Sequence, residues 1–109
     1  MQEDVRSLVR TLASLAREDV VYERCGDTHL CGCDRFDLSF VVASESFEIR
    51  NIESRQQGLG ARIIGAIHEF CDEHGLEVSA SNVLDTAISF WRKMGYEEGS
   101  TAGEYFRIG

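Results

Sequence analysis

The hydrophobic period of this chain changes across seven residues, Arg55-Gln56-Gln57-Gly58-Leu59-Gly60-Ala61. Before them, Phe36, Leu38, Phe40 and Val42 alternate with Asp37, Ser39 and Val41, and Phe47 to Ile52 forms a second apolar run. After them, Leu59, Ile63, Ile64, Ile67, Phe70 and Cys71 recur at helical spacing. A period of two means a half-buried strand, and a period near 3.6 means an amphipathic helix. The chain must therefore pass from strand to helix through two glycines. The first N–H groups of a helix have no partner within it, and the helix dipole makes that end positive. Glycine lets an anion come close to such a backbone, so the segment suits a phosphate.

The same reading extends along the chain. Val5, Leu8, Val9, Leu12, Leu15 and Ala16 predict a helix over residues 3–17. Val20 to Cys25 reads as a strand closed by Gly26-Asp27, and Thr28 to Arg35 as either a short strand or a loop. Ala43-Ser44-Glu45-Ser46 makes a hairpin connection, and Phe47 to Ile52 is the partner strand. The helix from Gly58 to about His74 stops at Gly75. Leu76 to Ala80 is a short strand, and Leu84, Ala87, Ile88, Trp91 and Met94 mark another helix, stopped by Gly95. Tyr96–Glu98 and Glu104–Ile108 pair as a last hairpin around Gly99–Gly103. The fold class is α/β or α+β, with a largely antiparallel first half.

At 109 residues this is the length of one domain. No apolar run reaches the roughly 18 residues of a membrane span. The start, Met1-Gln2-Glu3-Asp4, lacks the basic and apolar regions of a secretory signal, so a cytoplasmic location is expected. Stable disulfides among Cys25, Cys31, Cys33 and Cys71 are then not expected. The net charge of −8 shows no clustered basic face, which argues against nucleic acid as a partner. Lys93 is the sole lysine among the 11 basic residues, a bias expected of a salt-adapted or GC-rich source.

Cys25, His29, Cys31 and Cys33 are residue types that bind zinc, but their spacing is unlike the usual knuckle, and no metal is expected. On a strand His29, Cys31 and Cys33 share a face that Cys25 need not join. Cys71 reads as core, and His68 and His74 lie off the apolar face of their helix.

Two motifs in order carry a resemblance. Arg55-Gln56-Gln57-Gly58-Leu59-Gly60 matches Gln/Arg-x-x-Gly-x-Gly/Ala between a strand and a helix. About thirty residues on, Thr86-Ala87-Ile88-Ser89-Phe90-Trp91-Arg92-Lys93-Met94-Gly95-Tyr96 is a helix with an aromatic pair, a basic turn and Gly-Tyr. Together, over roughly residues 36–109, they resemble the GNAT N-acetyltransferase superfamily. The resemblance implies a GNAT-like mixed, largely antiparallel sheet flanked by helices, lacking the family's usual first strand because residues 3–17 already read as helix. It implies acetyl-CoA as cosubstrate. The pyrophosphate would lie on Gln56, Gln57, Gly58, Leu59, Gly60 and Ala61, Arg55 would add charge, and Asn51, Ile52 and Glu53 would meet the pantetheine arm where two strands splay.

The implied reaction is transfer of an acetyl group to a primary amine. Glu48 and Glu53 are the candidate bases, with Glu48 nearer the expected reaction centre. Many family members have Tyr as the second aromatic, placed to protonate the departing thiolate, and this chain has Trp91. An indole N–H donates a hydrogen bond but is no acid near neutral pH. Tyr96 and Tyr105 are the remaining candidate acids. The alternative is a non-catalytic module that binds acyl-CoA or a protein partner. The acceptor stays open at this stage: an acidic cleft would favour polyamines, aminoglycosides or basic peptides. A chain this small with an exposed sheet edge is also a candidate homodimer.

Overall fold

The computed structural model describes residues 2–108. Helix α1 (Gln2–Ala16) precedes four strands, β1 (Val21–Cys25), β2 (Thr28–Gly32), β3 (Phe36–Val42) and β4 (Ser46–Ser54). Helix α2 (Leu59–His74) leads to β5 (Glu77–Ala80), and a 3-10 turn (Asp85–Ala87) runs into α3 (Ile88–Lys93). Strands β6 (Tyr96–Glu98) and β7 (Tyr105–Arg107) complete an α+β fold. The seven strands form one sheet in the order β1-β2-β3-β4-β5-β7-β6. Neighbours are antiparallel except β4 and β5, which are parallel and therefore need a crossover, supplied by α2.

Alternation decides which face is covered. Phe36, Leu38, Phe40, Phe47, Ile49, Val78 and Ala80 are buried in one core with Leu8 and Leu12 of α1 and Ile63, Ile64 and Ile67 of α2. The two helices pack against each other. A column of rings crosses the strands on this side. Tyr22 lies 5.9 Å from His29, His29 5.0 Å from Phe40, and Phe40 4.7 Å from Phe47, all stacked. Phe47 meets the edge of Phe70 on α2 at 6.0 Å. Each such pair adds roughly 0.5–1.5 kcal/mol beyond its area. The residues between them, including Leu30 and Val21, are exposed on the opposite face.

The ambiguous stretch after Gly26 becomes strand because it has partners on both sides: Thr28 faces Cys25 of β1 and Val41 of β3. Strand β4 runs past Ile52 to Ser54, since Phe36 at the start of β3 pairs with Ser54. The helix expected from Leu84 is shorter than its periodicity suggests. Val83 donates its N–H to the carbonyl of Gly103, and Leu84 stays 71% exposed, so the α-helix begins only at Ile88.

Candidate functional site

The register of β4 sets the geometry. Phe40 faces Ile49 and Ser39 faces Asn51, so Arg50 is an extra residue bulged out of the β3–β4 ladder. On the other edge, β4 pairs with β5 from Ser46–Glu77 to Ile49–Ala80, and the N–H of Ser81 donates to the carbonyl of Ile49. Beyond that bond the strands part. Asn82 takes a left-handed backbone (φ 56°), and Val83 is tied to the β6–β7 turn at Gly103. Strand β4 continues beside β3 alone.

A cleft of about 100 Å³ opens where they separate. One wall is Ile49 to Ile52; the other is Ser81 to Leu84 with Ala87 and Trp91. The Ser81 hydroxyl is shielded from solvent and has no hydrogen-bond partner. A buried hydroxyl without a partner costs about 1–3 kcal/mol, so it is a group with something to gain from a ligand. The cleft is smaller than the roughly 300 Å³ of a typical ligand pocket.

The glycine turn follows the end of β4. Gly58 caps α2 in a left-handed conformation (φ 80°), with no side-chain cap and no acidic residue in the first turn. Leu59 donates to the carbonyl of Gln56, and Arg62 to that of Gly58. Helix geometry leaves the N–H groups of Gly60 and Ala61 without an intrahelical partner. Leu59 is buried as a whole residue and its N–H is spent on Gln56, so it presents nothing to a ligand. A methyl group on Gly60 would meet Ser54 Cβ at 3.5 Å and the Phe90 ring at 3.8 Å, ordinary contacts. Phe90, first of the aromatic pair, thus lies against the turn.

The predicted residues divide into three groups. Asn51 and Ile52 line the cleft. Gln57, Gly58 and Ala61 are exposed around the helix start, with Gly60 partly covered by Phe90 and Ser54. Arg55 and Gln56 are committed elsewhere. The Arg55 guanidinium bonds Asp37 Oδ2 and Glu53 Oε1, each at 2.9 Å, and the carbonyls of Cys33 and Asp34. Those carboxylates raise its pKa further, through hydrogen bonds first and charge second. Gln56 Oε1 accepts from Arg35, which also pairs with Glu18. Glu53 therefore holds Arg55, and Arg55 ties down the β2–β3 turn.

Glu48 is half-exposed and pairs with Arg50 at 3.2 Å. It faces Val41 and Ser79 one residue before the ladder ends, on the face opposite Phe47 and Ile49. Trp91 is buried and also lines the cleft. Tyr96 and Tyr105 are buried in the core. Tyr96 shares a 2.8 Å hydrogen bond with His68 Nε2, and burial raises the pKa of its phenol. Burial, helped by the Arg107 charge, lowers that of His68. Both stay neutral near pH 7.

Among the described residues no three Cys, His, Asp or Glu side chains converge as a metal site. His29 and Cys31 share the covered face, Cys25 is exposed, and burial pushes the Cys31 thiol up to about 12. Cys71 is core, as its spacing suggests. Sequence reasoning missed Ser81, Asn82 and the bulge at Arg50. Only the end of the apolar run at Ala80 hints that the strand stops there.

No family model matches the chain, and no curated protein matches it. Among solved structures, that of the anti-CRISPR protein AcrVA5 is similar, with a TM-score of 0.57 over 83% of this chain and 98% of that one. The two sequences are 15% identical, so the likeness is one of fold. Among the described residues no helix is long and apolar enough to cross a membrane.

Proposed function

We propose that this chain has a GNAT-like fold and is a small acetyl-CoA-dependent N-acetyltransferase acting on a primary amine. The observation that carries the reading is the parting of β4 and β5 after Ile49–Ala80, followed on the same strand by a glycine turn and a helix start free of acidic residues. The splay presents unpaired strand backbone to an amide-containing arm, and the helix start presents N–H groups to a pyrophosphate. Arg55 contributes by fixing the turn, since its charge is spent on Asp37 and Glu53.

Glu48 is the base in this reading. It takes a proton from the ammonium of the acceptor and passes it to solvent, the neutral nitrogen attacks the thioester carbonyl, and the C–S bond breaks as the amide forms, with the nitrogen's second proton passing to the departing thiolate through water. The thiolate leaves without a tyrosine: Tyr96 and Tyr105 are buried, and Ser81 and Trp91 are the hydrogen-bonding residues on the far wall of the cleft with Asn82. A thiol is acidic enough, near pKa 8.5, to leave with hydrogen-bonding help alone.

Calorimetric titration with acetyl-CoA and with CoA tests the cofactor. No binding by folded protein at the salt it requires rejects the proposal. Release of CoA across a panel of amines then tests catalysis. Glu48→Gln should lower kcat by about 10²-fold, and Glu53→Gln should leave it unchanged. The absence of a tyrosine at the cleft favours one second reading, a module that binds acyl-CoA without turnover. Turnover with any amine removes it.

A further inference from the structure

The outer sheet face carries a groove of about 460 Å³ that borders the cleft. Asn51 lines both. The register arranges this face in rows. One row reads Glu23, Leu30, Ser39, Asn51 across β1 to β4, and the next reads Val21, Gly32, Asp37, Glu53. On the other side of the first row, Thr28, Val41 and Glu48 make a third. Glu48 therefore stands on the groove's own face, one row away, at the point where the cleft begins.

The groove has a distinct chemistry. Leu30 and Val21 are 40% and 75% exposed and give the groove an apolar strip beside its carboxylates. Glu23 stands at the far end of the row and takes no part in the ion pairs of this face, Arg55 with Asp37 and Glu53, and Arg50 with Glu48. Over β1 to β4 the face holds four carboxylates, Glu23, Asp37, Glu48 and Glu53, against the guanidiniums of Arg50 and Arg55. Gly32 shapes the floor: a methyl group there would lie 2.5 Å from Asp37 Oδ1, so the bare backbone lets that carboxylate fold over the strand.

We infer that the groove binds the amine acceptor of the proposed reaction, and that this acceptor is a linear aliphatic polyamine. The reading rests on the acetyltransferase proposal for its chemistry, though not for the binding itself. Glu23 holds the distal ammonium, Leu30 supports the methylenes, and the reacting nitrogen lies by Asn51 within reach of Glu48. From Glu23 to Asn51 is three strand spacings, about 14 Å, so the terminal nitrogens must be about that far apart. A short diamine reaches the cleft without reaching Glu23. A basic peptide brings a backbone and branched side chains, for which the single row Glu23–Leu30–Ser39–Asn51 has no matching partners.

Steady-state kinetics on the intact protein with acetyl-CoA test this, using an unbranched diamine of four carbons, a triamine, a tetraamine and a lysine-containing basic peptide. KM is expected to fall as the amine lengthens. Glu23→Gln should raise KM for the tetraamine about three- to fivefold, a modest factor because the site is exposed, and Glu23→Lys should raise it more. Neither should change kcat or the KM of the diamine. A KM independent of length, a Glu23→Lys variant like wild type, or a preference for the peptide overturns the inference. Titration of the tetraamine without acetyl-CoA separates the two proposals. Binding that Glu23→Lys abolishes, in a protein that binds no CoA, supports the groove and rejects the transferase; no binding and no turnover rejects the groove.

Discussion

The two halves of β4 differ in what flanks them. Phe47 to Ile49 has a partner strand on each side, and Phe47 and Ile49 are buried. Arg50 to Ser54 has β3 alone, and its residues are exposed or half-buried. One bulged residue and the departure of β5 separate them. The first half contributes its backbone and its side chains to the fold. The second withholds one edge of its backbone, and an unpaired edge is what a ligand can use. The most forceful way to break this comparison is truncation in each half. Phe47→Ala should cost about 3–5 kcal/mol, because the ring is fully buried and stacked on Phe40. Asn51→Ala should change stability by less than about 0.5 kcal/mol, being exposed. Urea denaturation measures both. Similar losses would mean that the second half is structural too, and the site would lose its foundation.

The two glycines sharpen the comparison at the strand's far end. Gly58 needs its left-handed backbone, and a Cβ there meets nothing within 4 Å. Gly58→Ala should therefore cost roughly 1–2 kcal/mol through backbone strain alone. Gly60 has no such demand, and its methyl group would make only ordinary contacts. Gly60→Ala should leave the unfolding midpoint within about 0.5 kcal/mol of wild type. If phosphate lies on that main chain, the same change weakens CoA binding. Equal affinity in calorimetry, with the fold intact, moves the pyrophosphate off Gly60.

Much of this was legible in the residues. The alternation in Phe36–Val42 and the helical spacing of Leu59–Cys71 each follow one period, and period survives any tertiary context that buries one face. The motif at Arg55–Ala61 is legible for the same reason: it lies where the period changes. The splay is not, because it depends on register. Nothing in Ile49-Arg50-Asn51 says that Arg50 has no residue opposite it on β3; that follows only from Phe40 facing Ile49 and Ser39 facing Asn51. Arg55 shows the same limit. Its motif position suggests phosphate, yet its guanidinium reaches back to Cys33–Asp37, residues some twenty positions earlier. The groove row Glu23–Leu30–Ser39–Asn51 draws one residue from each of four strands. No local pattern reveals it.

Acid should act on the packed half of β4 and spare the splayed half. His29 stacks on Phe40, which stacks on Phe47, and its Nδ1 lies 2.6 Å from the Tyr22 hydroxyl. Burial lowers its pKa, with the Arg24 charge acting in the same direction. A histidine held neutral in the fold but free to protonate when unfolded stabilises the native state above its ordinary pKa of about 6.5. That contribution is lost as the pH falls from there through the depressed folded value. His68, also lowered, adds a second loss of the same sign at the other end of the core. Stability measured by urea should fall between pH 7 and pH 5 in wild type. His29→Phe keeps the ring stack and removes the titration, so its decline over that range should be shallower, with the His68 share remaining. An unchanged slope in that variant would assign the acid sensitivity to groups outside the ring column, and the packed half would then owe nothing to a neutral histidine.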